Sequence, residues 1–563
     1  MLGRDRVGVG NPGALPGIGP PQGHQNGSEA GFGRDDGRGQ LDPKTAVIPD
    51  LLTRRYEPAS GLPDDRSVRS SARRIGLEQE FFLVDASGEI SDLGDVLLGA
   101  CWDSARAEGV DTGCFKAECV HSLVEVTTPP SAGFSHLVEN YITNLNLALD
   151  AAAGLGLRLY PLGTYPLPTR PTVRDDPRYR LKARTIGYER FLNAGRCAGV
   201  HLHIEAPPGT IWPHVKAAHA APAAAREEML DLYNLATALD PALVAISRAC
   251  PFYEGRMSGL AARTVHYRGG FGPEGVYTKI QEVGALGPYA ATVENLEAEE
   301  RERYVAWYRA MDFAGVERAL FSLTGANVHR ASWNPVRLNR HGTVEIRSMD
   351  SNYPQITLAV CAVVCGAFDR VRYEHLRVKP IPGVRTLECD GGTLLVPDFA
   401  YLSETLLRAA VSAGVEDPDV EAYLGSLLRF AAPYVEEPEQ VGLLLGADGG
   451  YSTTEAEIRR RLPGAMPSIP RAEGLRMVQE SCRLLEEQVH SLCRRRRGVL
   501  REVVPHYGDD AGAEHRRAAR STANGPISAA LRGGGEPSAD SPGPLVMLPA
   551  RAVRARSLEK GGS

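Results

Sequence analysis

The sequence predicts an α+β protein, and three observations lead to that prediction. Four short segments alternate apolar and polar residues, which is typical of strands with one buried face. Longer segments, such as residues 135–156 and 355–376, have apolar residues at helical spacing. Strand and helix patterns follow one another without an internal repeat, so we expect meandering strands with helices packed behind them.

The composition narrows the range of partners and compartments. The chain has 563 residues, 43% of them hydrophobic, and a formal net charge of -6, so it can bury a core and has no positive excess for nucleic acid or acidic membranes. No apolar run approaches the roughly eighteen residues that span a bilayer, and the N-terminus lacks the apolar segment of a secretory signal. The ten cysteines form no C-x-x-C pair, which argues against zinc-knuckle and thioredoxin sites. We therefore expect a cytoplasmic protein that binds neither nucleic acid nor membrane.

Two tails and one helical region surround the predicted strands. Residues 1–65 and 506–563 are rich in Gly, Pro and polar residues, so we expect both tails to be disordered. Residues 379–505 have a mainly helical pattern and end in a long amphipathic segment.

Each of the four predicted strand segments carries a pair of polar side chains. Residues two apart on a strand point to the same face, roughly 7 Å from each other. The pair in the second segment is seven residues apart and shares a face if a turn at His121-Ser122 lies between its members. The pairs are Glu78 and Glu80, Glu118 and Glu125, His201 and His203, and Glu345 and Arg347.

Carboxylates that face one space repel each other, and divalent cations would offset that repulsion. Carboxylate oxygens suit Mg²⁺ or Mn²⁺ at about 2.1 Å, whereas Arg347 cannot ligate a metal and would clamp an oxyanion. The combination indicates phosphoryl transfer. Taken singly, each pair also fits a solvated strand face or an ion pair. A zinc hydrolase built on the two histidines is an alternative, but four glutamates exceed the usual three-ligand catalytic zinc site.

Five motifs in order resemble glutamate–cysteine ligase family 2: "GLEQEF", "ECVHSLVEVTTP", "GVHLHIE", "SRACPFYEG" and "GTVEIRSMD". The resemblance covers roughly residues 72–375. It implies a glutamine-synthetase-like fold, in which a curved antiparallel sheet forms an open funnel with helices on its outer face. It also implies a catalytic core at residues 66–378, with the helical part 379–505 belonging to the same catalytic unit.

The resemblance also implies roles for individual residues. One metal set would be Glu78, His201 and Glu345, and the second would be Glu80, Glu118 and Glu125. His203 would lie near the nucleotide, and Glu345 and Arg347 would be catalytic, with Arg347 near the transferred phosphate. Two further arginines are candidates for binding phosphate or a substrate carboxylate, although surface positions fit them equally: Arg337, expected to bind ATP, and Arg263, expected to bind substrate.

The activity that the resemblance implies is ATP- and Mg²⁺-dependent ligation. The γ-carboxylate of glutamate would be activated as an acyl phosphate and joined to the amine of cysteine, giving γ-glutamylcysteine for glutathione-type thiol biosynthesis. Two alternatives stay open: a ligase of the same family with another amine acceptor, and a non-catalytic binding relative. The sequence does not fix the oligomeric state and leaves a homo-oligomer open.

Overall fold

A computed structural model describes residues 73–211, 221–317, 320, 331–446, 449–462 and 466–503, with backbone alone for 496–503. The predicted tails, residues 1–65 and 506–563, lie outside the described residues. The chain divides into two units, Met1–Arg494 and Arg495–Ser563. All contacts reported below lie within the first unit.

Twelve strands are described, and the main sheet is antiparallel throughout. It has seven strands in the order β2-β3-β1-β5-β9-β8, with β4 also paired to β1. The strands are β1 Ile75–Asp85, β2 Phe115–Ala117, β3 Leu123–Thr127, β4 Leu157–Tyr160, β5 Gly199–Glu205, β6 Phe252–Tyr253, β7 Arg256–Met257, β8 Val336–Asn339, β9 Thr343–Asp350, β10 Arg377–Ile381, β11 Glu388–Asp390 and β12 Thr393–Pro397. The α+β class is as predicted, whereas the funnel shape stays a prediction.

Helices alternate with these strands and supply most of the core. The α-helices are Gly94–Glu108, Phe134–Gly154, Pro177–Ile186, Tyr188–Phe191, Ala223–Ile246, Ala262–Tyr267, Val293–Phe313, Pro354–Tyr373, Phe399–Tyr401, Leu407–Ser412, Pro418–Ala431, Pro438–Val441, Thr454–Arg461 and Arg471–Val503. A π-helical turn, Leu402–Leu406, joins two of them.

Strand β1 shows how the sequence separates core from site. Leu77 and Phe81 are fully buried and belong to the same apolar core as Tyr141 of the helix Phe134–Gly154. Each such side chain contributes about 2–3 kcal/mol by leaving water. Because side chains alternate along a strand, Glu78 and Glu80 point to the opposite face. Burial of one face therefore fixes where the carboxylates go.

Two helices are long and apolar enough to cross a membrane by length and composition alone: Ala223–Ile246 and Pro354–Tyr373. The apolar window of the first is 100% buried inside the protein and that of the second 78%. Core helices have this character, and these two pack behind the main sheet. None of the ten cysteines, all of which are described, forms a disulfide bond.

The region predicted as mainly helical begins with a small sheet. Strands β10, β12 and β11 pair in that order, with β10 parallel to β12. These strands were not predicted from the sequence. The stretch "ECDGGTLLVP", which contains β11 and β12, is short, and a Gly-Gly turn separates the two strands. From Phe399 onward the described residues are mainly helical.

A buried ion pair lies behind the main sheet. Arg268 donates two hydrogen bonds, of 2.8 and 2.9 Å, to the carboxylate of Asp240, and both side chains are almost completely buried. Ser348 of β9 donates to the same carboxylate. The pair thus connects the core helix Ala223–Ile246 to the strand that carries Arg347.

We predict that Asp240→Asn lowers the free energy of unfolding by about 3–5 kcal/mol, because it leaves the Arg268 guanidinium buried without a counter-charge. The double variant Asp240→Asn/Arg268→Met should cost less than the single one. Urea denaturation measures both values. The control is Glu404→Gln, which breaks an exposed pair with Arg408 and should change stability by less than about 1 kcal/mol. A single variant as stable as this control would contradict the assignment.

Candidate active site

A cavity of about 370 Å³ lies over the polar face of the main sheet. All ten residues singled out from the sequence are at or directly beneath it. His203 and Glu345 lie beneath and contact lining side chains. The other eight line the cavity: Glu78, Glu80, Glu118, Glu125, His201, Arg263, Arg337 and Arg347.

Strand register brings these side chains together. Residues directly opposite each other in an antiparallel pair point to the same face, with Cβ atoms about 5 Å apart. Glu118 reaches the same space from the turn between β2 and β3, where a turn was expected. The opposed pairs are Glu78 with His201, Glu80 with Glu125, His203 with Glu345, Arg337 with Glu345, and Lys116 with Glu125.

Three groups of side chains have potential ligand atoms within 4.8 Å of one another. One group is Glu80, Glu118 and Glu125, the set expected for the second metal. The others are Glu78, His203 and Glu345, and Glu78, Glu125 and His201. The structure thus groups Glu345 with His203, whereas the resemblance placed His201 with it. The reason is register, since His203 lies opposite Glu345 and His201 opposite Glu78. The metal-binding role of each residue stays a prediction.

Glu345 is fully buried, and the negative charge of its carboxylate is offset by neighbouring arginines. Arg337 donates to its carboxylate at 2.8 and 3.0 Å, Arg347 donates at 2.5 Å, and Asn339 donates as well. Burial raises the pKa of Glu345, but the charges of Arg337 and Arg347 outweigh it and hold that pKa well below its usual value. Two guanidinium groups are thereby fixed at one side of the cavity by a single carboxylate.

Lys116 compensates two further carboxylates, and the sequence analysis did not single it out. Its Nζ lies 2.9 Å from Glu78 and 3.0 Å from Glu125. Burial raises the pKa of Glu78, but the charge of His203 and hydrogen bonds from His201 outweigh it, so the pKa is lowered. The K-x-E spacing of Lys116 and Glu118 could have revealed this cation, because it predicts one shared face.

These basic residues offset part of the repulsion that the sequence analysis expected divalent cations to offset. Lysine and arginine side chains offset Glu78 and Glu345 directly. The carboxylates that lysine and arginine offset least are those of Glu80, Glu118 and Glu125.

That acidic group carries an excess of negative charge. Among the residues that the structure describes, neither Glu80 nor Glu118 forms an ion pair with a lysine or arginine. Burial raises the pKa of Glu80 to about 7. Burial and then the charge of Glu80 raise the pKa of Glu118, while burial and then the charge of Glu78 raise that of Glu125. Three carboxylates that resist ionisation beside one lysine are a donor set suited to a divalent cation.

Two imidazole nitrogens extend the donor set. Within the described part of the chain, the buried Nε2 atoms of His201 and His203 make no hydrogen bond. Nε2 of His201 lies 3.8 Å from Glu80, and that of His203 lies 3.4 Å from Glu78. Burial and then Arg347 lower the pKa of His201 to about 3, so this ring is neutral and can offer a lone pair.

Arg263 lines the cavity at a point where a glycine leaves room for its guanidinium. It donates to the carbonyl oxygen of Arg347 at 3.3 Å, and a Cβ atom at Gly199 would meet its guanidinium at 2.1 Å. The N–H of Gly199 donates to Glu80 at 2.7 Å. A side chain at Gly199 would therefore displace both Arg263 and the backbone that orients Glu80.

The remaining wall of the cavity is aromatic and carries a second cation that sequence reasoning missed. Nζ of Lys182, on the helix Pro177–Ile186, lies 4.7 Å from the ring centre of Trp333. Burial lowers the pKa of Lys182 to about 8. Lys182 and Trp333 are distant in sequence, so local pattern could not have paired them.

The fold and site together define an α+β protein with an acidic, arginine-containing cavity over an antiparallel sheet. The family model of glutamate–cysteine ligase family 2 matches residues 74–386, more than half of the chain. The chain belongs to this family, as the motif resemblance indicated.

Relatives with assigned names are similar over shorter stretches. A protein from Salinispora arenicola, provisionally named glutamate–cysteine ligase 2, is 28% identical over 209 residues, which cover 37% of this chain and 47% of that protein. One of the same name from Pseudomonas paraeruginosa is 28% identical over 189 residues, covering 34% and 44%. The chain thus spans about half the length of the curated relatives it matches.

Two solved structures are similar at low identity. Glutamate–cysteine ligase from Francisella tularensis, in complex with AMP, has a TM-score of 0.46 and 11% identity, covering 81% of this chain and 96% of that one. A bifunctional glutathione synthetase from Pasteurella multocida has a TM-score of 0.44 and 12% identity, covering 79% and 55%.

We predict that the metal-free protein loses stability as the pH rises through 7, relative to Glu80→Gln. The folded pKa of Glu80, about 7, is above the value of about 4.3 expected in the unfolded chain. Folding therefore favours the protonated acid, and this stabilisation is complete below about pH 4.3 and lost as the pH rises through 7. The difference between the two proteins should grow by roughly 3 kcal/mol from pH 4.5 to pH 8.

Urea denaturation in a chelating buffer at several pH values measures this difference. Added Mn²⁺ or Mg²⁺ should then stabilise the wild type more than Glu80→Gln, because the amide of the variant lacks the negative charge of the Glu80 carboxylate. A difference that stays constant with pH, together with equal metal responses, would contradict the predicted electrostatics.

Proposed function

We propose that this chain is an ATP-dependent carboxylate–amine ligase of the glutamate–cysteine type. The observation that carries the proposal is the group Glu80, Glu118 and Glu125, whose negative charge is only partly offset by Lys116, beside Arg347 in one cavity. An acidic group that needs a divalent cation, next to a guanidinium, is suited to binding a nucleotide and transferring its phosphoryl group. Membership of glutamate–cysteine ligase family 2 supports the same reaction.

The donor set fits Mg²⁺ or Mn²⁺, because carboxylate oxygens predominate in it. Two imidazole nitrogens that lack hydrogen bonds within the described residues lie beside these carboxylates. One cation would be held by Glu80, Glu118 and Glu125. A second would be held by Glu78 and Glu345 with His203 or His201. When bound, such cations would offset the negative charge of the nucleotide phosphates.

Arg347 would stabilise charge on the transferred phosphoryl group. Its Nη1 is committed to Glu345 at 2.5 Å, while its buried Nε makes no hydrogen bond in the described part of the chain. Glu345 thus orients the guanidinium, and the Nε–H of Arg347 would be available to an oxyanion. Arg337 is held by the same carboxylate and would bind the nucleotide phosphates, and His203 would lie near the nucleotide.

The reaction has two steps. The γ-carboxylate of glutamate attacks the γ-phosphorus of ATP, giving γ-glutamyl phosphate and ADP. The acceptor amine then attacks the acyl carbon and loses a proton, the C–N bond forms, and phosphate leaves. With cysteine as acceptor, the product is γ-glutamylcysteine, a precursor of glutathione-type thiols. Water must be excluded from the cavity, since it would hydrolyse the acyl phosphate.

Residues 66–378 and the C-terminal part 379–505 would form one catalytic unit, with the main sheet as the wall of an open funnel. A buried ion pair supports the unit: Arg248 donates to Glu455 of the helix Thr454–Arg461 at 2.8 and 3.2 Å, and the N–H of Glu455 donates to the carbonyl of Arg248. Arg248 directly follows the core helix Ala223–Ile246. The C-terminal part is thereby joined to the core behind the site.

A ligase for another amine is the second candidate. The charged groups described above would bind phosphate, and they do not determine which amine is the acceptor. A non-catalytic relative is disfavoured, since three carboxylates that are buried or half-buried and have raised pKa values lower stability and would have no use without a cation. Substrates would in any case be small molecules, with neither nucleic acid nor membrane as a partner.

The test is a panel of amine acceptors with ADP detection, at saturating ATP, Mg²⁺ and glutamate. We predict ADP release that requires glutamate and rises strongly with cysteine. Glu118→Gln should lower kcat at least about 100-fold, because it removes charge from the acidic group. The control Glu404→Gln changes an exposed helix residue and should keep wild-type rates.

Each failure has a separate meaning. Full activity with another amine and none with cysteine would favour the second candidate. ADP release at wild-type rates by Glu118→Gln would remove this residue from the site. No ADP release with any acceptor would overturn the proposed ligase activity.

A further inference from the structure

Most basic side chains that line the cavity already have a partner. Lys116 contacts Glu78 and Glu125, and both Arg337 and Arg347 contact Glu345. In the same lining, Arg178 pairs with Asp176, and Arg263 donates to a backbone carbonyl. Lys182 and the exposed Arg340 are different, because no acidic group of the described residues lies within ion-pair distance of either cation. Lys182 is the less exposed of the two, and the charge of Glu118 acts on its ammonium from beyond that distance.

The ammonium of Lys182 is held in place by aromatic rings. Its Nζ lies 4.7 Å from the ring centre of Trp333 and 5.7 Å from that of Tyr179. The indole of Trp333 is itself fixed, with Tyr277 stacked at 5.2 Å and Trp307 against its edge at 4.7 Å. A cation held on a rigid aromatic surface loses little freedom when an anion binds it.

The chemistry of this wall fits one negative charge. Nucleotide phosphates carry several negative charges. In the proposed function they would be bound by cations at the acidic group and by the arginines of the sheet. Lys182 offers a single ammonium among aromatic side chains, and a carboxylate matches it in charge and in size. Both amino-acid substrates of the proposed reaction carry an α-carboxylate that takes no part in the chemistry.

We propose that Lys182 binds the α-carboxylate of an amino-acid substrate, which is either the donor glutamate or the acceptor. This inference rests on the proposed function. It makes Lys182 a specificity-determining residue, which favours α-amino acids over amines that lack a carboxylate. In either case the carboxylate would lie against the aromatic wall. The two cases differ in whether the donor or the acceptor amino acid carries it.

Paired substrates with and without the carboxylate test this contact. For the acceptor, cysteine is compared with cysteamine, and for the donor, glutamate is compared with 4-aminobutyrate. KM and kcat/KM are measured for the wild type, Lys182→Met and Lys182→Arg. Arg184→Met is the matched control, because Arg184 is a cation on the same helix that is exposed and does not line the cavity.

We expect Lys182→Met to lower kcat/KM about tenfold or more for the substrate of one pair that carries the α-carboxylate. For the other substrate of that pair, which lacks the carboxylate, kcat/KM should stay unchanged. The pair that responds identifies the source of the carboxylate. Lys182→Arg should restore part of the loss, and Arg184→Met should match the wild type. The KM for ATP should stay within about twofold of the wild-type value.

Equal losses for both members of each pair would overturn the inference, as would a rise confined to the KM for ATP. These results presuppose an active wild type, so they are distinct from failure of the proposed function. If the wild type releases no ADP, calorimetric titration of glutamate and of cysteine into wild type and Lys182→Met decides. Weaker binding of either amino acid by the variant supports the contact, and unchanged binding of both overturns it.

Discussion

The site depends on one electrostatic constraint, which is the crowding of five glutamates over one face of an antiparallel sheet. The alternation of side chains along β1 and the register of its neighbours leave these carboxylates no other direction. Lys116, Arg337 and Arg347 offset part of the charge. The remaining excess is concentrated at one group, whose carboxyl pKa values are raised first by burial and then by the charge of neighbouring carboxylates.

The rest of the molecule holds this arrangement in place from behind. The buried pair of Asp240 and Arg268 reaches β9 through Ser348, next to Arg347. On the opposite face of β1, Gln79 is buried and donates to Ser351 at 2.9 Å, which ties the strand to the chain that follows β9. Polar contacts inside the core are costly unless satisfied, so they fix the register on which the site relies.

Local pattern was enough to predict the strands and the polar face that they share. Glu78 and Glu80, two residues apart, needed only the period of a strand. Contacts set by packing could not be predicted in this way. Lys182 meets Trp333 because a helix folds over the sheet, and the pairing of His203 with Glu345 depends on a register shift in β5 and β9. The short strands β10 to β12 were missed, because their sequences carry little alternation.

The most direct test of the central claim is anomalous diffraction from crystals grown with Mn²⁺ and a non-hydrolysable ATP analogue. We predict an anomalous peak among the carboxylates of Glu80, Glu118 and Glu125, lost in crystals of Glu118→Gln. A peak elsewhere, or none at these carboxylates in crystals that contain bound nucleotide, would contradict the account.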